Sequence, residues 1–449
     1  MYTFSNKLKT ISIILMVLGA LGVGYGFMTS HKSLEEVKTI LSEASSEHGG
    51  GHGDEASMAT KDEHAGNIEH AESAHSDNVE ENHEGAHLEH VQHQMENRPW
   101  SALLVAAFFF MMIALGALVF YAIQHAAQAG WSPVLFGIIE GITTYLLPGS
   151  IIVLLIVALA GTHFYPWQNE DLVAGDKILQ AKSGYLNVPF FLIRAVIFIL
   201  GWNLYRYFSK KFSSLQTSAT NFDNHKKNFK ISVFFLMFFI ITEAMMSWDW
   251  FMSMTPHWYS TLFGWYVFAS MFVSAITTIA LVTIYLRSKG LLGFINNSHL
   301  HDLAKYMFAF SIFWTYLWFS QFMLIWYANI PEEVTYFIIR IQEYNGLFFG
   351  MLVLNFVFPI LILMNSDFKR VPWFVVLAGI AILTGHYIDV FLFVMPSTVG
   401  LNWHFGIPEI ASILLFLGLF IFTIGTGLSK VTLHPKGNPF IIESENYHY

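Results

Sequence analysis

The sequence predicts an all-α integral membrane protein of about ten transmembrane helices. Three observations carry the membrane reading. Ten apolar runs, most of 18 residues or more, punctuate the 449-residue chain, and roughly 20 apolar residues of helix cross a bilayer. Charged residues make up 12% of the chain, against about 25% in a soluble domain. Aromatics make up 17%, with Trp and Tyr crowding the ends of the runs as interfacial belts do.

The first run, 11–28, follows Lys7 and Lys9 as in a signal peptide. No small-x-small cleavage site closes it, so residues 1–28 read as a retained first span. Gly19, Gly22, Gly24 and Gly26 suit it to close helix packing. Residues 29–99 hold 16 Asp/Glu against 4 Lys/Arg, a balance of -12 within a total of -9. The acidic character therefore belongs to this segment, which is rich in His, Glu, Ala, Ser and Gly. Its apolar content is too low for a core, so it reads as low complexity with at most patches of helix. It contains His83-Glu84-Gly85-Ala86-His87, which matches the H-E-x-x-H zinc-protease pattern. That pattern works on a stable helix; in a stretch so dense in His and Glu it is expected by chance. A solvated acidic linker, adventitious metal binding or docking onto a neighbouring subunit are the other readings.

Nine further runs follow at 100–124, 133–161, 187–206, 231–252, 259–286, 303–329, 345–365, 373–395 and 408–429. The stretch 240–269, broken at Pro256-His257, reads as two spans joined by a tight aromatic turn. It divides a first bundle, 100–252, from a second, 253–395. Residues 396–449 supply the last span and a tail. Ten spans put both termini on one side. Placing them inside gives inner segments 15 Lys/Arg and outer segments seven, with Arg194 within a span. That is a positive-inside signal, with the His-rich segment outside.

The chain has no cysteine. Thiolate-held iron–sulfur clusters, covalent c-type haem and disulfides are therefore excluded from it. A dihaem cytochrome b needs four histidines inside the membrane, whereas only His386 lies well inside a span; His125, His163, His257 and His404 are at ends. The ionisable residues within the runs matter more, because charge in hydrocarbon is costly and marks polar interiors. Glu140, Glu243, Asp249, the i, i+3 pair His386/Asp389, and Glu409 are candidates for a proton path. Arg194 reads as a partner for one of these acids or as a headgroup contact. A metal transporter is the rival from another class: a His-rich loop plus His386-x-x-Asp389 forms half of such a site, but no second span supplies a matching pair. No catalytic or metal-binding set is assigned.

Two stretches then stand out: 321–333, QFMLIWYANIPEE, and 256–264, PHWYSTLFG. Both resemble signature stretches of the membrane subunits of alternative complex III, a bacterial quinol:electron-acceptor oxidoreductase. Those subunits belong to the polysulfide-reductase membrane-subunit, or NrfD-like, family. The resemblance covers roughly residues 100–430. The long acidic loop after the first span fits the second of the two large membrane subunits better than the first. The resemblance implies that the two bundles have four helices each, with the first and last helices peripheral, and it implies a bacterial inner-membrane location. It implies as partners a sister NrfD-like subunit, an iron–sulfur protein, multihaem and monohaem cytochromes c and a terminal cytochrome oxidase. Haem c and iron–sulfur clusters would sit in those partners, and this chain would meet menaquinone or ubiquinone at most. His257, Gln321, Tyr327 and Arg194 are the candidate quinone contacts, and Gln321 is expected to face a bundle interior rather than lipid. Lipid surrounds the chain, and no nucleic-acid partner is expected. A purely structural subunit of that complex and a stand-alone cation or zinc transporter remain open as alternatives.

Overall fold

A computed structural model describes residues 2–47 and 76–448; side chains at 41, 43–47, 76–84, 86, 87 and 90 lie outside the description, and with them the pattern at His83 to His87. Among the described residues there are helices and no strands, and ten helices are long and apolar enough to cross a membrane. They are α1 (Asn6–Ser30), α2 (Ser76–Ala126, of which Val91–Ala126 is the span), α3 (Pro133–Leu159), α4 (Val188–Thr217) and α5 (Asp223–Met254). The second half adds α6 (Phe263–Ser288), α7 (Asn297–Ala328), α8 (Asn345–Leu363), α9 (Pro372–Thr398) and α10 (Ile407–Leu428). The chain is thus a multi-pass membrane protein. The acidic segment carries more helix than its composition suggested: Leu34–Glu47 is helical, and the backbone of 76–90 runs without a break into α2.

Helices α2 to α5 close one four-helix bundle and α6 to α9 a second. The seam is made by α2 against α6 and α9. Its composition explains this: α2 has no Asp, Glu, Lys, Arg or His between Arg98 and His125, and 94% of its most apolar window is buried. At the crossing with α6, Gly116 lies so close to Met271 that a Cβ would sit 2.8 Å from its carbonyl oxygen. The outward faces of the other spans are apolar as lipid demands, with Leu200, Phe234, Met237 and Leu361 all exposed.

Helices α1 and α10 pair on the flank. Gly19, Gly22 and Gly26 of α1 meet Leu415, Ala411 and Pro408 of α10, and Gly418 meets Ser12 and Met16. A Cβ on Gly418 would lie 2.7 Å from the Ser12 carbonyl oxygen and 2.9 Å from Met16 N, backbone that cannot move aside. Gly418→Leu is therefore expected to cost about 1–3 kcal/mol in forced separation. Hydrogen exchange should show α1 losing protection while α2 keeps its own; unchanged α1 protection would contradict the pairing.

Two spans are irregular, each at a proline. In α3 the stretch Thr143–Tyr145 winds as 3₁₀ helix, and Glu140 lies three residues before it. Pro148 removes the N–H that would bond the Thr144 carbonyl. In α8 the turn Val353–Val357 is π-helical. Pro359 cannot serve the Asn355 carbonyl, and the wider turn resets the hydrogen-bond register. Both irregular turns sit beside buried polar side chains.

Candidate functional site

The termini define one face of the molecule, the terminal face; the opposite one is called distal here. Four places between them hold the buried sequence candidates among the described residues.

The largest group lies in the second bundle, in the distal half. Asp389 and His386, one turn apart on α9, are both fully buried, with His386 Nδ1 3.5 Å from Asp389 Oδ2. Trp314 of α7 donates its indole N–H to Asp389 Oδ2 at 2.8 Å, and the Tyr266 hydroxyl of α6 donates to Oδ1. Ser270 Oγ lies 3.0 Å from His386 Nδ1, and Asn355 Nδ2 is 3.5 Å from it. The π turn in α8 brings Asn355 in, and Gly385 makes room: a Cβ there would run into Asn355 Oδ1. His386 Nε2 and Asn355 Oδ1 are buried with no partner.

Tyr266 links this group to a small cavity of about 10 Å³, also lined by Gln321, Tyr336, Arg340, Trp318 and Leu392. That volume is about the room one water needs. Gln321 is 2% exposed and neither amide atom has a partner, so two donors and an acceptor are aimed at the space. Arg340 comes from the short helix Pro331–Gln342. It donates to the Leu392 carbonyl at 3.2 and 3.0 Å and to the Tyr336 carbonyl at 2.8 Å, and its guanidinium stacks 3.4 Å from the Tyr336 ring. No carboxylate meets it among the described residues; burial pushes its pKa down, though the guanidinium keeps its charge. Trp258 stacks on the other face of Tyr336 with ring centroids 3.9 Å apart, so the 256–264 stretch backs the Tyr336 wall of the cavity from outside.

The second group is in the first bundle near the terminal face. The Tyr121 hydroxyl donates to Glu140 Oε1 at 2.9 Å, and Thr143 and Thr144 bond back to the Glu140 carbonyl. Arg206 of α4 donates to both threonine hydroxyls at 3.2 Å. Beside it, His125 Nε2 is 3.3 Å from Asn228 Nδ2, whose amide oxygen accepts from Ser209 at 2.6 Å.

The third group comprises closed ion pairs. Arg194 and Asp249 form a buried two-point pair at 2.7 and 3.0 Å, and the guanidinium lies 3.9 and 4.2 Å from the rings of Tyr185 and Phe190. At the distal end Arg98 of α2 grips Glu409 of α10 at 2.7 and 2.9 Å, and Glu409 also accepts from Gly406 N at 2.8 Å. His404 Nε2 lies 2.6 Å from Arg98 Nη1. Burial, then the Arg98 charge, holds the His404 pKa below its usual 6.5. A depressed folded value means that the neutral ring stabilises the fold above about pH 6.5, and that this is lost as pH falls through the lower folded value. The chain has no cysteine, so Asn402→Cys is a clean reporter. Because the thiolate is the form that reacts, the labelling rate is read as a ratio to that of free cysteine at the same pH. The ratio should rise between pH 7 and pH 5, and His404→Gln should remove the rise; a flat ratio with His404 in place would refute it.

Glu243 stands apart as the fourth. It is 5% exposed, and its Oε1 has no partner. Of the other sequence candidates, His257 sits on the distal surface, 2.5 Å from Asp176 Oδ2, and Tyr327 is 84% exposed at the end of α7. Neither joins a polar interior. Gln321 does, facing the bundle. The acids singled out from the sequence thus fall into separate places rather than one path.

Sequence reasoning passed over Tyr121, Tyr266, Trp314, Asn355, Arg340 and Arg98. Arg98 and Arg340 carried a signal, since each is a lone cation at a run's edge, but both counted as loop charges. Among the described residues, no group of three His, Asp, Glu or Cys side chains converges as a metal-ligand set. No protein-family model matches the chain, and no curated protein matches it at a significant level.

Proposed function

We propose that this chain is an ActF-type membrane subunit of a respiratory quinol-oxidising assembly of the alternative complex III kind. It would conduct protons and hold redox-bearing neighbours, with no redox centre of its own. One observation carries the reading. Asp389 is met by neutral donors, Tyr266 and Trp314, and among the described residues the ionisable base beside it is the imidazole of His386. A structural ion pair carries its own fixed counter-charge, as Arg194–Asp249 does. A carboxyl–imidazole pair instead exchanges a proton with little movement of heavy atoms.

The neighbours extend that pair in both directions. Distally, Tyr266 leads to the cavity at Gln321 and Arg340. Toward the terminal face, Ser270 on α6 is followed by the buried hydroxyls of Ser274, Thr277 and Thr278. Glu140 and Tyr121 form a corresponding acid and hydroxyl near the terminal face of the first bundle. In this reading the terminal face, with 15 of the Lys/Arg, is cytoplasmic in a bacterial inner membrane, and the acidic His-rich segment is periplasmic. Menaquinol or ubiquinol would be oxidised in the assembly. Electrons would pass through an iron–sulfur protein beside a sister NrfD-like subunit to multihaem and monohaem cytochromes c, and onward to a terminal oxidase. Protonation of the Asp389–His386 pair would respond to that flow.

The two closed pairs, Arg194–Asp249 and Arg98–Glu409, favour a second reading in which the chain is a scaffold only. Purification from the native membrane, with a haem spectrum and mass spectrometry of companions, tests the assembly. Haem c and an iron–sulfur protein co-purifying are expected. A lone colourless chain that carries zinc into vesicles would replace this reading with the transporter.

A further inference from the structure

Arg340 is 4% exposed, and its hydrogen bonds among the described residues go to backbone carbonyls rather than to a carboxylate. Three of its five guanidinium N–H groups are spent on Leu392 and Tyr336, which leaves two. Those carbonyls are neutral, and a buried charge is costly without a counter-charge. Gln321 and Trp318, 2% and 8% exposed, line the same cavity of about 10 Å³. The Gln321 amide nitrogen and the Trp318 indole nitrogen are both buried with no partner among the described residues, and they bring three more N–H groups. Against them stands one unmatched side-chain acceptor lining the space, Gln321 Oε1. Donors are thus in excess beside a fixed positive charge.

From this we infer that the cavity is a binding site for a single halide ion, chloride in the cell, held between Arg340, Gln321 and Trp318. Three features select that class. A water would bring donors of its own and no charge, whereas an anion accepts from every free N–H and balances the guanidinium. A chloride ion takes up nearly the volume of a water molecule, which is what the space admits; a phosphate, a sulfate or a carboxylate is too large for it. The remaining walls include Phe337, Phe348 and Met351, which would offer the further oxygens of an oxyanion no donor. Tyr266 stands between the cavity and Asp389, its hydroxyl donating to Asp389 Oδ1, so the carboxyl does not itself line the space. Bound there, the ion is the counter-charge that lets the short helix Pro331–Gln342 lock onto α9 through Arg340 and the Leu392 carbonyl. The site requires neither quinol oxidation nor proton movement.

The test follows the thermal midpoint of the full chain in phosphatidylcholine nanodiscs, with sodium chloride exchanged for sodium gluconate at constant total salt. A saturable upward shift with chloride is expected in the wild type, with sodium bromide able to replace chloride. Gln321→Glu tethers a carboxylate beside Arg340. It should raise the midpoint in gluconate and remove the response to chloride. Trp318→Phe deletes one donor and should raise the half-saturating chloride concentration about tenfold. Equal wild-type midpoints in chloride and gluconate, or the same chloride response in all three proteins, would overturn the proposal. If Gln321→Glu fails to accumulate, Trp318→Phe decides alone, an unchanged half-saturating concentration counting against the site. The measurement reads no proton movement and no partner, so failure of the quinol-oxidising reading leaves it standing, and the reverse.

Discussion

Replacing Arg194 by methionine is expected to cost about 3–5 kcal/mol, because it leaves the Asp249 carboxylate buried with no counter-charge. Asp249 is 0% exposed and takes both of its short bonds from that one guanidinium. The loss is a large part of the 5–15 kcal/mol that usually holds a domain together. The single variant should accumulate poorly and melt early in detergent. Arg194→Met with Asp249→Leu should recover most of the loss, since two apolar side chains of similar volume remove the desolvation cost along with the attraction. The measurement is a thermal midpoint followed by size-exclusion, with a double-mutant cycle for the coupling. A single variant as stable as the wild type would show that the pair is hydrated.

The second large effect is on proton movement. Asp389→Asn should leave the fold nearly intact, because the amide still offers Tyr266 or Trp314 an acceptor in the same space. Proton release linked to quinol oxidation should fall on the order of 100-fold, as when a positioned acid–base group is removed. Asp389→Leu adds a stability cost: it strands a buried hydroxyl and a buried indole N–H, at about 1–3 kcal/mol each. The contrast between the two variants separates the proton role from the packing role. Unchanged proton release in Asp389→Asn would leave only the scaffold reading.

The ten spans were legible because hydrocarbon imposes a length and a composition that a single chain segment must meet by itself. The buried acids were legible for the same reason, as costly exceptions within apolar runs. Their partners were not. Asp389 is bonded to residues 75 and 123 positions away, and Glu409 to one 311 positions away. Nothing in the local pattern of α7 marks Trp314 as a hydrogen-bond donor rather than a belt residue. Arg340 shows the converse, since a charge read as an outer-loop cation turns inward to cap Leu392. The π turn at Val353–Val357 is half-written in Pro359, which says that the ladder must break but not that Asn355 gains by it. Glu243 is a reminder that a buried acid without a partner is a statement about an empty space, and empty space has no residue code.

The clasp between the first and the last helix bears on how the molecule is made. Helix α1 emerges from the ribosome about 400 residues before α10, and at about 5–20 residues per second that is a delay on the order of 20–80 s. Throughout that interval its glycine ridge has only lipid, an insertase or a neighbouring nascent chain to lie against. A message truncated before α10 would yield a protein with both bundles built and one orphaned anchor, a natural mark for quality-control proteases.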